Sequence, residues 1–130
     1  MNDPIAEMLT GITNASMVGK PHADIPASKF KKQILLVLKK LGYITDFEEV
    51  GEGVKRAFRV TLRYDAQGRP AIRETKRVSR LSRRVYLGYR KIRPVKYGHG
   101  YMILSTPEGI MTEQEARGKQ IGGEALFTIW

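Results

Sequence analysis

The chain has 130 residues, enough for one domain or two small lobes, and its 42% hydrophobic content is that of an ordinary globular protein. It has no cysteine, and its two histidines, His22 and His99, lie far apart, so a disulfide framework, a thiolate metal site, a cysteine nucleophile and a zinc centre are not expected. A formal net charge of +10 instead points to a polyanionic partner, most often a nucleic acid.

Neither a membrane span nor a targeting peptide is expected, because no apolar run is long enough and the opening MNDPIAEMLTGITNA carries acids but no early basic run. Asp3-Pro4 starts a helix, with an acceptor at the cap and proline where its missing N–H costs nothing. Ile5, Met8, Leu9 and Ile12 continue it as one apolar stripe that should fade near Asn14. Ala23-Asp24-Ile25-Pro26 reads as a short extended piece. Ser28 then caps a second helix with Phe30, Ile34, Val37, Leu38 and Leu41 on its inner face. Lys31, Lys32, Lys39 and Lys40 belong on or beside its outer face, and Gly42 stops it. A hairpin follows, with strands over 43–50 and 55–64 around a Gly51-Glu52-Gly53 turn.

Asp65-Ala66-Gln67-Gly68-Arg69-Pro70 has strong turn chemistry, and the charge changes there. The lobe boundary is placed at this turn, giving an N-terminal α/β lobe over 1–68 and a β-rich C-terminal lobe over 69–130. In the second lobe the pattern predicts strands over 72–78, 84–87, 101–105 and 124–130. It also predicts a single turn or irregular crossing over 91–95, a loop at Gly98-His99-Gly100 and one helix over 112–120. The fold class is therefore α+β in two small lobes. N-terminal helices pack on a small sheet, and the second lobe is β-rich with one short helix.

Residues 69–96 hold 11 basic residues and a single acid, Glu74, a net of +10. Ile72, Val78, Leu81, Val85, Tyr86, Leu87, Tyr89, Ile92 and Val95 interleave with them, a lattice that a disordered basic tail would lack. This favours a folded, nucleic-acid-facing surface over a solvated charge run.

The closing segment, STPEGIMTEQEARGKQIGGEALFTIW, is dense in local signals. Thr112-Glu113-Gln114-Glu115 is a capping box, and it puts Glu113 and Glu115 at the positive end of a helix. Ala116 and Ile121 should face inward. Ser105 and Thr106 end an apolar strand, where hydroxyls taken alone are more often turn formers than ligands. Pro107-Glu108-Gly109 turns the chain. Gly122 and Gly123 either form a tight turn or let a partner's backbone or ribose approach. Glu124 would be repelled by phosphates unless it accepts hydrogen bonds from base amino or imino groups or braces the loop. Phosphate-loop, metalloprotease and nucleophile-elbow motifs are absent from the sequence, and no cofactor is expected. An RNA-processing enzyme using Glu124 as general base would need a second catalytic group that the sequence does not supply.

The Ser-Thr-x-x-Gly-Ile-Met-Thr-x-x-Glu-Ala-Arg segment, followed by Ile-Gly-Gly-Glu and an aromatic terminus, closely resembles the bacterial-type small-subunit ribosomal protein eight family. The resemblance extends to Asp3-Pro4-Ile5-Ala6-Glu7-Met8-Leu9-Thr10, Pro26-Ala27-Ser28-Lys29, Leu41-Gly42-Tyr43-Ile44, Lys76-Arg77-Val78-Ser79 and Arg84-Val85-Tyr86. It implies a structural ribosomal protein, cytoplasmic or organellar, that is not an enzyme. Such a protein binds an irregular stem in the central domain of small-subunit ribosomal RNA, helps assemble the platform and neighbours the fifth and twelfth small-subunit proteins. The alternative is repression of its own message through a similar stem.

Carried over residue by residue, the resemblance implies that Ser105 and Thr106 hydrogen-bond to nucleotides. Gly122, Gly123 and Glu124 shape the adjoining loop, and Tyr86 lies against a sugar or base. Lys29, Lys55, Lys76, Arg77 and Arg84 contact phosphates. Pro107 and Glu108 replace a serine and a lysine common in the family, and Gly11 and Thr13 replace arginines, so an altered set of RNA contacts is expected.

Overall fold

A computed structural model of the chain describes residues 3–95 and 99–130. The Gly98 end of the predicted Gly98-His99-Gly100 loop lies outside the described residues. The described residues form two compact units, Pro4–Arg73 and a second made of Asp3 together with Glu74–Trp130.

In the first unit, α1 (Pro4–Met17), β1 (His22–Pro26), α2 (Lys29–Leu41), β2 (Ile44–Val50), a 3₁₀ turn (Gly53–Lys55) and β3 (Ala57–Leu62) follow in order. The strands form an antiparallel sheet in the order β1-β3-β2. The expected "extended piece" is thus a true strand, and Pro26 is tolerated because β1 is at the edge. α1 runs past Asn14, because Ala15 and Ser16 prolong the buried stripe of Ile5, Met8, Leu9 and Ile12.

Ser28 caps α2 as predicted, its side chain accepting the Lys31 N–H at 3.2 Å. Gly42, at φ 84°, ends it in a Schellman pattern in which Gly42 N–H donates to Lys39 and Tyr43 N–H to Leu38. The buried face of α2 is rotated from the predicted one. Lys31, Ile34, Leu35 and Leu38 are inside, whereas Phe30 is exposed and Val37 and Leu41 are only half-buried. Lys31 is compatible with that position because its stem lies along apolar surface while its ammonium donates to the Pro26 carbonyl at 3.3 Å.

The second unit contains β4 (Thr75–Arg77), β5 (Tyr86–Leu87), a 3₁₀ turn (Tyr89–Lys91), β6 (Tyr101–Thr106), β7 (Gly109–Thr112), α3 (Glu113–Gly118) and β8 (Gly123–Ile129). β8 is the central strand. β6 pairs along one edge and carries β7 beyond it, while β4 and β5 share the other edge. β4 is shorter than the predicted 72–78, but main-chain bonds from Val78 to Leu126 and from Ser79 to Ala125 extend the pairing irregularly.

The sequence reading missed β7, which turns Pro107-Glu108 into the tip of a two-residue hairpin. Gly109 supplies φ +118° at its far side. Leu104, Met111, Ala116, Ala125 and Ile92 form the core under this sheet, with Ile121 packed against it. Thr112 caps α3 by accepting the Glu115 N–H at 3.2 Å. Glu113 lies in the first turn of α3, as expected, and is buried there. It is 2% exposed and its Oε2 accepts the Met102 N–H at 2.6 Å, tying α3 to β6.

Candidate nucleic-acid interface

The register of the five-stranded sheet collects the predicted contact residues at one end of β8. Tyr86 of β5 lies opposite Glu124, and Glu124 lies opposite Ser105 of β6, so the three form one row across three strands. Directly opposed residues of antiparallel strands project to the same face. Tyr86 is 70% exposed, and Ser105 and Glu124 are half-buried. Arg84, just before β5, reaches across and donates from Nη1 to Glu124 Oε2 at 3.0 Å. This bond is the main cause that raises the Arg84 pKa above its ordinary value. Glu124 therefore takes the second role foreseen for it. It braces a cation at the surface, which is how one carboxylate can stand among groups intended for phosphates.

Gly122 and Gly123 make the row possible. A Cβ on Gly122 would run into the Leu87 carbonyl, and one on Gly123 into the Ser105 carbonyl. The close approach that these glycines permit is thus between the protein's own strands, which brings β5 and β6 tightly onto β8.

The two hydroxyls at the end of β6 differ. Thr106 Oγ1 donates to the Gly109 carbonyl at 2.8 Å and accepts the Glu108 N–H at 3.1 Å, locking the hairpin tip. Its proton is already used. Ser105 Oγ makes no hydrogen bond among the described residues, so it can donate and accept.

The predicted cations are distributed over three places. Lys76 and Arg77 lie opposite Thr128 and Phe127, roughly 10–13 Å along β8 from Glu124 at the usual strand rise. Lys76 is exposed. Arg77 is largely committed, with Nε and Nη2 donating to the Asp3 carboxylate at 3.0 and 3.3 Å and Nη1 donating to the Leu126 carbonyl. Lys29 and Lys55 belong to the other unit, at the start of α2 and the end of the first 3₁₀ turn.

Sequence reasoning did not single out Arg80 and Arg83. Their main chains pair reciprocally at 2.8 and 3.0 Å, closing a tight hairpin over Leu81-Ser82 that Ser79 anchors from within. Arg80, Ser82 and Arg83 help line a cleft of about 340 Å³ beside β4, and both arginine side chains are exposed. The density of bases over 69–96 was the available signal, but it did not reveal which of them are unoccupied.

No group of three or more potential metal ligands occurs among the described residues. No helix among them is long and apolar enough to cross a membrane.

A family model described as ribosomal protein S8 matches residues 3–130. The small ribosomal subunit protein uS8 of Solibacter usitatus is 43% identical over 129 residues, covering 99% of this chain and 98% of that protein. Its counterpart in Geobacter metallireducens is 45% identical over 130 residues, covering 100% and 98%. That of Petrotoga mobilis is 44% identical over 132 residues, covering 99% and 98%. The match spans both units and reaches the terminal Trp130, and on it the chain belongs to the ribosomal protein S8 family.

Proposed function

We propose that the chain is a structural protein of the small ribosomal subunit whose Glu74–Trp130 unit binds an irregular stem in the central domain of small-subunit ribosomal RNA and helps assemble the platform. The observation that carries this reading is the Tyr86–Glu124–Ser105 row, with Arg84 held beside it, on a rigid central strand. A-form RNA hides most base edges in a deep groove, so recognition falls on shape, 2′-hydroxyls and distorted positions. An unoccupied serine hydroxyl and an exposed tyrosine ring, presented on one face of the sheet, suit such a position. Lys76, Arg84, Arg80 and Arg83 supply attraction with little sequence information, as do Lys29 and Lys55 from the other unit. Arg77 contributes through its remaining N–H groups and by holding β4. Thr106 contributes by fixing the tip on which Ser105 is presented, and Gly122 and Gly123 by bringing the strands together. The fifth and twelfth small-subunit proteins are the proposed protein neighbours. Chemical footprinting on purified small-subunit RNA tests the reading. Protection of one central-domain stem is expected, and protection spread evenly over duplex regions would refute it.

A further inference from the structure

We infer that the groove between α2 and β2 receives an extended, lysine- or arginine-bearing segment of a partner polypeptide, added as a fourth strand along the β2 edge. The inference does not depend on the RNA reading.

Three observations converge on this groove. β2 is an outer strand of its sheet and seven residues long. Long exposed edges are usually blunted by proline, charged side chains or a bulge. β2 lacks the proline that β1 has in Pro26 and has no lysine. What guards it is three carboxylates and a register shift between Ile44 and Asp46, so a partner for this edge must answer negative charge. The Phe47 N–H donates to its neighbour Asp46 at 2.8 Å rather than across the ladder, so this amide faces away from β3. Next, the cleft of about 310 Å³ beside β2 has an apolar floor. Leu36 is 50% exposed there, and Phe47 meets Phe58 edge-on with ring centroids 5.5 Å apart. An edge strand with an apolar groove beside it is the arrangement by which sheets capture extended peptides, with main-chain bonds giving affinity and alternate side chains filling the groove.

The third observation is charge. Residues 44–54 carry four carboxylates, Asp46, Glu48, Glu49 and Glu52, and no base, in a chain of net +10. Lys39 answers Asp46 at 3.0 Å and Arg56 answers Glu49. The Glu48 and Glu52 carboxylates make no side-chain hydrogen bond among the described residues, and Glu48 acts only electrostatically on Arg59. Arg59, opposite Glu48, is already held by Asp24 at 3.1 Å. Lys32 on the helix wall is the remaining cation of the groove. A phosphate backbone laid on this strand would meet like charge at every second residue. A second copy of β2 would oppose carboxylate to carboxylate. An extended segment alternating basic and apolar residues satisfies both faces at once.

The test uses the full chain and an acetylated ten-residue peptide alternating lysine and valine. Hydrogen exchange at the Phe47 and Glu49 amides should slow by about fivefold on peptide addition. Glu48→Lys with Glu49→Lys, and separately Leu36→Gln, should weaken peptide binding about tenfold. Binding of the stem RNA, measured in parallel, should change less than about twofold in both variants, so that failure of this inference and failure of the RNA reading are told apart. The inference is overturned if β2 amides are unprotected, or if a block-ordered or alternately N-methylated peptide binds equally well. Protection of β2 by the stem RNA alone, or by raising the protein concentration alone, would overturn it in favour of RNA or of a second copy.

Discussion

Ser105 and Thr106 are adjacent hydroxyls with different tasks, and their substitution should separate binding from stability. Ser105→Ala removes an unoccupied donor and acceptor, so stem binding should weaken by roughly fivefold, the worth of one net hydrogen bond, with unfolding unchanged. Thr106→Ala opens the Thr106–Gly109 lock and should cost about 1–2 kcal/mol in urea unfolding. Equal effects of both on RNA and on unfolding would contradict this assignment. Glu113 makes a different residue-scale prediction. Burial pushes its pKa up, outweighing the Met102 N–H bond that lowers it. The folded state therefore holds its proton more tightly than the unfolded chain, whose carboxyl titrates near about 4.3. The stability this gives is complete below that pH and is lost as pH rises through the folded-state pKa. Glu113→Gln keeps an acceptor for Met102 but cannot ionise, so the wild type should lose stability relative to the variant between acid and neutral pH. Urea titrations of both proteins across that range check it, and a pH-independent difference would count against a buried ionising group.

At the scale of elements, β4 shows why residue type alone did not assign roles. Lys76 and Arg77 are neighbours in a basic stretch, and the alternation of a strand sends their side chains to opposite faces. Lys76 ends in solvent. Arg77 instead forms a bidentate, mostly buried pair with Asp3, a partner 74 positions away that no local pattern could reveal. Arg77→Ala should accordingly destabilise by about 2–4 kcal/mol, because it removes a mostly buried bidentate pair and the bond to the Leu126 carbonyl at once, whereas Lys76→Ala should stay within about 0.5 kcal/mol. Thermal unfolding of the two variants distinguishes them, and similar melting points would place Arg77 at the surface after all. The same distinction accounts for what was legible. Caps, the β2–β3 hairpin, the Ser105-Thr106 strand end and the Thr112 cap depend on residues within a few positions, and each was read from sequence. The rotation of α2 onto Lys31, the burial of Glu113, and the strand contacts that require Gly122 and Gly123 depend on what packs opposite. β7 escaped for a different reason, since four residues between a turn and a helix cap carry too little alternation to register as a strand.

For the whole molecule, charge is concentrated by position in the chain rather than by unit. Residues 69–96 carry 11 bases and one acid, so the other 102 residues hold 12 of each and are neutral in sum. Affinity for RNA should follow this stretch, because each phosphate neutralised releases counterions and steepens the dependence on salt. Within it the cations whose charge no internal carboxylate offsets should contribute most. Arg77 and Arg84 are paired with Asp3 and Glu124, whereas Arg80 and Arg83 stand exposed on a hairpin closed by their own main chains. Replacing Arg80 and Arg83 together by alanine should lower the slope of log K against log salt by about two, one for each phosphate contact. Replacing Lys20 and Lys32, two exposed lysines outside the stretch, removes the same formal charge and should leave the slope within about 0.5 of the wild type. Filter binding of the stem RNA from about 50 to 300 mM salt provides the comparison. A similar drop for both pairs would mean that net charge acts only as a diffuse field. An unchanged slope for the arginine pair would remove that hairpin from the RNA surface, leaving attraction to Lys76, Arg84 and the lysines of the other unit.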